Sequence, residues 1–156
     1  MKLEKELKLK QHDMGLNHEA LLSIVRTSSM MHKLGERFFI PYGITDTQFN
    51  ILMTLKEFKE GLNQQELSEK LIVHKSNVTG LVDRLEKLGY VKRHAKPNDR
   101  RSNQIKLTAD GQKLLTKTEQ PYFDAVHDLM NILSKEEKKA IVCSTEKLRR
   151  KAMATL

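Results

Sequence analysis

Tryptophan is absent from this chain of 156 residues, cysteine occurs once, and aromatic residues make up only 5% of it. A single thiol, Cys143, excludes an internal disulfide and any structural zinc site built on several thiolates. Long apolar runs are missing too. Stretches such as Phe38 to Ile40 fall far short of the ~20 residues that cross a bilayer, so no membrane partner is expected. Met1 to Lys10 mixes lysine with Glu4 and Glu6 and lacks the apolar core of a secretory signal, which predicts a cytoplasmic protein. Three prolines and seven glycines leave most of the chain free to be helical. What the chain has in excess is positive charge. Lys and Arg number 28 against 20 Asp and Glu, a formal net charge of +8 that calls for a partner of opposite sign. The length suits one domain with helical extensions and rules out two enzyme domains.

Helix starts are legible because a side-chain acceptor at the cap and a Glu or Gln three residues on satisfy two orphan backbone donors. Three such pairs occur: Thr45 with Gln48, Asn63 with Glu66, and Ser134 with Glu137. The first two add a hydrophobic staple, Ile44 with Phe49 and Leu62 with Leu67. Thr108, followed by Ala109 and Asp110, is a plainer cap. Apolar residues at helical spacing then predict helices over about 17–39, 46–58, 64–71, 75–88, 109–132 and 135–154. The fourth should end at Gly89, which tolerates left-handed backbone, and Pro121 should kink or break the fifth. Tyr90 to Ala95 and Asn103 to Leu107 read instead as short strands, joined by a loop holding Lys96, Pro97, Asn98 and Asp99.

The third and fourth helices are separated by only Ile72 to His74, the spacing of a helix-turn-helix, and the hairpin follows at once. The order predicts a mainly α fold: a winged helix-turn-helix with a short β-hairpin wing and long N- and C-terminal helices. In such a unit the second helix enters a major groove and the hairpin reaches the adjacent minor groove. Charge placement supports this independently. From His74 to Lys106, nine basic residues stand against Asp83, Glu86 and Asp99, so this segment holds +6 of the +8. On the fourth helix the face opposite the apolar stripe carries Ser76, Thr79, Gly80, Asp83 and Lys87, with Lys75, Asn77 and Arg84 at its margins. Small hydroxyl and amide groups there suit base edges and phosphates, and Gly80 would let backbone approach DNA closely.

These residues also carry a family resemblance. The runs Asn63 to Leu71 and Lys75 to Gly89, then Asp99-Arg100-Arg101 and Leu107-Thr108, with Gln48-Phe49 in register, resemble the MarR family of bacterial transcription regulators. The resemblance implies a homodimer whose first and last two helices interlock, leaving two winged lobes facing a pseudo-palindromic duplex. It implies that Ser76, Asn77 and Thr79 read the major groove while Arg101, held by Asp99, sits at the wing tip in the minor groove. It further implies release by a small aromatic or phenolic effector lodged between the dimerisation helices and the lobe, where Phe38, Phe39, Tyr42, Phe49 and Met53 gather, although such faces also read as core. One position departs from the pattern: His74, before Lys75, is a poor cap, so Ser76 shares that task.

Other classes find less support. Six histidines are present, His12, His18, His32, His74, His94 and His127, but none sits beside a nucleophile motif or a phosphate-binding glycine loop, so the chain is not expected to be an enzyme. His12, Asp13, His18 and Glu19 lie close together without a ligating interval on one helix face, so neither metal nor cofactor is expected. Cys143, beside Ile141 and Val142, reads as a buried inert thiol.

The expectation is therefore a sequence-specific, DNA-binding transcription regulator, a repressor by occupancy. Residues 1–40 would form an arm and dimerisation helix, 41–108 the DNA-binding lobe, and 109–156 two further dimerisation helices. The terminal helices carry apolar faces too large for a lobe of this size to cover, which argues for the dimer on physical grounds. Contacts to double-stranded DNA are assigned to Lys75, Ser76, Asn77, Thr79, Gly80, Arg84, Arg93, Lys96, Asp99, Arg100 and Arg101. The rivals are a winged-helix protein-interaction module and a nonspecific nucleoid binder.

Overall fold

A computed structural model describes residue 6 and residues 15–71, 78–96 and 99–155, the side chains of 96 and 99–102 excepted. In chain order the elements are α1 (Gly15–Phe39), a 3-10 turn (Ile40–Tyr42), α2 (Asp46–Glu57), α3 (Gln64–Lys70), α4 (Val78–Lys87), β1 (Val91–Lys96), β2 (Asp99–Leu107), α5 (Ala109–Met130) and α6 (Lys135–Met153). The chain divides into two compact units, Met1–Leu115 and Thr116–Leu156.

All three capping boxes form, each with the cap side chain accepting from the backbone three residues on and the reciprocal bond returned. Thr108 caps as anticipated, its Oγ1 accepting from Gly111 N at 3.1 Å. Gly89 takes a left-handed φ of +76° where α4 ends. The 3-10 turn was not anticipated. Pro41 sits in its first positions and Gly43, at φ +68°, ends it, so a proline and a glycine expected to stop α1 shape a tighter turn beyond it.

Two expectations are corrected. Of the two outcomes expected at Pro121, a kink or a break, the break does not occur, since α5 runs through it. Proline removes one donor and crowds one carbonyl, and the ladders on either side outweigh that local loss in a helix of 22 residues. β2 begins at Asp99 rather than Asn103, pairing Lys96 with Asp99 beyond an irregularity after Ala95. The charged residues there lack the apolar alternation that marks a half-buried strand, so the pattern was silent where backbone pairing alone defines the strand.

The first unit is built around one core. Phe39, Phe49, Ile51, Leu52, Leu55, Leu67, Val78, Val82, Leu85, Val91 and Ile105 are all fully buried. The wing is rooted there: Val91 faces Leu107 and Arg93 faces Ile105 across the antiparallel pair. Leu62, just before α3, exchanges backbone bonds with Ile105 at 3.2 and 2.8 Å, a one-residue antiparallel bridge onto the outer side of β2. At the far end of β2, Thr108 Oγ1 donates to Gly89 O at 2.6 Å. A Cβ at Gly111 would lie 2.2 Å from Tyr90 O, so only glycine lets α5 start this close to the end of α4.

The second unit, the remainder of α5 with α6, has a different character. Its large apolar side chains, including Phe123, Val126, Leu129, Ile141, Val142 and Leu148, are exposed in the single chain. Cys143 is exposed as well, correcting the expectation of a buried thiol. It lies on the same uncovered helix as Ile141 and Val142.

Candidate nucleic-acid interface

Four residues with a helical apolar repeat, Val78, Leu81, Val82 and Leu85, bury one face of α4 in the core. That anchoring fixes the helix and turns its opposite face outward: Thr79, Gly80, Arg84 and Lys87 are exposed there. Gln64, at the start of α3, reaches across the helix-turn-helix and donates from Nε2 to Thr79 Oγ1.

The wing is tied to α4 through Arg93. Its backbone N–H donates to Glu86 Oε1 at 2.9 Å, and its guanidinium donates to Glu86 Oε2 at 2.5 Å and to Asp83 Oδ1 at 2.6 Å. Asp83 and Glu86, three residues apart on α4, thus grip one arginine on β1. The backbone N–H of Arg93 holds the Glu86 carboxyl below its ordinary value, outweighing partial burial, and the guanidinium adds to the effect. Partial burial works against the Arg93 charge, but the hydrogen bonds to Asp83 and Glu86 prevail and raise its pKa. The pair stays ionised at neutral pH and acts as a strut between α4 and the wing.

Of the residues assigned to DNA contact, Thr79, Gly80 and Arg84 share the outer face of α4. Lys75, Ser76 and Asn77 lie outside the described residues, as does the question of His74 as a cap. Lys96, Asp99, Arg100 and Arg101 fall at the tip end of the hairpin by backbone position, and the expected Asp99–Arg101 contact involves side chains outside those described. Arg93 is placed differently from the rest, since its guanidinium is occupied by two carboxylates. On the outward side of β1, Lys92 and His94 are exposed, and Lys106 lies 3.4 Å from Glu60. Sequence reasoning missed Gln64 and the strut. Two acids spaced three apart on a helix, followed by an arginine on the next strand, was the available signal.

The aromatic cluster splits. Phe39 and Phe49 stack at 4.7 Å between ring centroids and are fully buried, which makes them core. Phe38, 5.7 Å from Tyr42, stays half-buried with Tyr42 and Met53 around the 3-10 turn. Among the described residues no group of three His, Cys, Asp or Glu is placed to hold a metal ion, and no helix is long and apolar enough to cross a membrane.

Residues 44–102, which include the α2–α4 core and most of the wing, match the model of the MarR family. The chain is 33% identical over 125 residues to the HTH-type transcriptional repressor YetL of Bacillus subtilis, covering 80% of this chain and 75% of that protein. Among solved structures, Sco3205 of Streptomyces coelicolor, a MarR family transcriptional regulator in complex with DNA, superposes with a TM-score of 0.79 at 24% identity, covering 92% of this chain and 94% of that one. The MepR–DNA complex of S. aureus does so with a TM-score of 0.74 at 21% identity, covering 91% and 99%. Both likenesses are of fold.

Proposed function

The chain belongs to the MarR family and is a DNA-binding transcription regulator, not an enzyme, and from that premise we propose that it is a sequence-specific repressor acting as a homodimer in the cytoplasm. One observation carries the reading: the outer face of α4 is exposed while its inner face is locked in the core, and the Arg93 strut fixes the wing beside it. Helix and wing therefore meet a duplex as one preorganised surface, without ordering either on arrival.

Thr79, Gly80 and Arg84, with Lys75, Ser76 and Asn77, would face the major groove. Lys96, Arg100 and Arg101, with Asp99 orienting Arg101, would enter the minor groove. Arg93 serves as the strut rather than as a contact. Residues 1–40 and 109–156 would supply the dimer interface and 41–108 the lobe. Two-fold symmetry sets half-sites about 10 base pairs apart, and repression follows from occupancy of the promoter. A small aromatic effector would rest against the half-buried Phe38, Tyr42 and Met53, and release the DNA.

The test is fluorescence anisotropy on the gene's own upstream duplex and on a scrambled duplex of equal length, across a salt series. Cognate binding tighter by about a thousandfold, with a steep negative salt slope, is the expected result. Arg101→Ala should weaken it while leaving the dimer intact. Equal affinity for both duplexes would indicate a nonspecific nucleoid binder, and no binding at low salt a protein-interaction module.

A further inference from the structure

We propose that Gln64 and Thr79 form a single base-reading unit, in which Gln64 orients the Thr79 hydroxyl and adds its own amide to the surface offered to the major groove. The inference rests on the reading of α4 as the recognition helix and deepens it. Gln64 belongs to the first helix of the helix-turn-helix, which the sequence treats as scaffold, yet its side chain is exposed and bonded to the exposed Thr79 hydroxyl of the second. Its neighbours behave otherwise. Gln65 donates to Glu69 at 3.1 Å and Ser68 to the carbonyl of Gln65 at 2.9 Å, so both are used within α3.

The chemistry of the pair explains the arrangement. A free threonine hydroxyl rotates, donates or accepts, and so separates bases poorly. Once Thr79 Oγ1 accepts from Gln64 Nε2, one of its lone pairs is used and its own proton is directed away from the amide, which narrows the directions in which it donates. Gln64 retains Oε1 as an acceptor and a second amide hydrogen as a donor, the paired groups with which glutamine meets the edge of an adenine. Stability does not account for the contact, because a hydrogen bond between two exposed side chains largely exchanges with water. Its effect is to reduce the rotational freedom of the two groups that face the duplex.

Selection from duplexes randomised across both half-sites, followed by sequencing of the bound fraction, tests the unit. Full-length wild type, Gln64→Ala, Thr79→Val, Thr79→Ser and the Gln64→Ala/Thr79→Val double variant are compared, with thermal melting to show that each is folded. The expected result is that Gln64→Ala and Thr79→Val flatten base preference at the same positions, by about tenfold each. The double variant should be no flatter there than either single one, and Thr79→Ser, which keeps the hydroxyl, should retain the wild-type preference. The inference is overturned if Gln64→Ala leaves the preference of the wild type in place, even while weakening all duplexes equally, or if the two single variants flatten different positions. A wild type that selects no motif at all overturns the reading of α4 and this unit with it. That failure shows itself before any substitution is made.

Discussion

The lobe, with the adjoining ends of α1 and α5 at Phe39 and Leu115, closes on itself, whereas the rest of the terminal helices does not. Every buried apolar side chain among the described residues falls in the lobe. α1 buries only Phe39 and α6 buries nothing, while Leu21, Val25 and Leu34 on one and Ile141, Val142 and Leu148 on the other remain open to solvent. The two regions obey the same local rules of capping and periodicity, so the difference lies in partners. A helical apolar stripe is a demand for cover, and among the described residues the stripes of both end regions are left uncovered. In the lobe, core packing is intramolecular and positions a surface. In the terminal helices, we read the unmet stripes as the dimer interface.

The comparison breaks first at the core. Leu85→Ala, at a fully buried position of α4, should cost about 2–5 kcal/mol in urea unfolding, with the same loss at every protein concentration. A neutral effect would mean the lobe is not closed. Val142→Asp should act in the opposite way. In the single chain Val142 is 63% exposed, so the substitution hardly touches intramolecular packing. A charge set into an apolar interface should instead weaken dimerisation by about a hundredfold, read by sedimentation velocity across a dilution series. DNA affinity should fall with it. A wild type sedimenting as a monomer at micromolar concentration would remove the contrast altogether.

Legibility in the sequence follows the same division. Thr45, Asn63 and Ser134 announce helix starts because capping is decided within four residues, and all three boxes form. The buried face of α4 was legible because its repeat is enforced by a core that the same stretch of chain supplies. Three features escaped for a shared reason. The Arg93 strut, the Gln64–Thr79 bond and the early start of β2 each depend on residues brought together by tertiary structure, and none leaves a periodic trace. Arg93 was grouped with the free cations because one sequence displays its charge and not the two carboxylates that hold it. Cys143 was read as buried from its apolar neighbours, although those neighbours are themselves uncovered.

The strut offers a finer test within the lobe. Because the folded state holds the Glu86 carboxyl below its ordinary 4.5, its contribution is fully present at neutral pH and is lost as pH falls below 4.5 through the folded value. Unfolding midpoints of the wild type should therefore decline in that acid window more steeply than those of Glu86→Gln. Glu86→Ala, which removes the acceptor that glutamine would keep, should also lose hydrogen-exchange protection at Arg93 N, bonded in the wild type to Glu86 Oε1. Protection unchanged in Glu86→Ala would show that the wing is held without the Glu86 bond. Neither result should depend on protein concentration, since the strut lies wholly within the lobe.

The smallest effect separates the regions most directly, because it applies one chemistry to both. Asn63→Ala and Ser134→Ala each remove a cap that accepts from a backbone N–H, at 2.9 Å from Glu66 and 3.2 Å from Glu137 respectively. Each should cost about 1 kcal/mol where its helix is held by packing. α3 is held by the buried Leu67, so Asn63→Ala should lower lobe stability by that amount at all concentrations. α6 has no buried residue in the single chain, so its first turn depends on the cap until a partner covers it. Ser134→Ala should thus fray α6 in dilute protein and have less effect as concentration rises, as followed by hydrogen exchange over Lys138 to Cys143. Equal, concentration-independent losses for the two variants would mean that the terminal helices are as self-sufficient as the lobe, and the case for a second copy would then have to rest on something other than their uncovered faces.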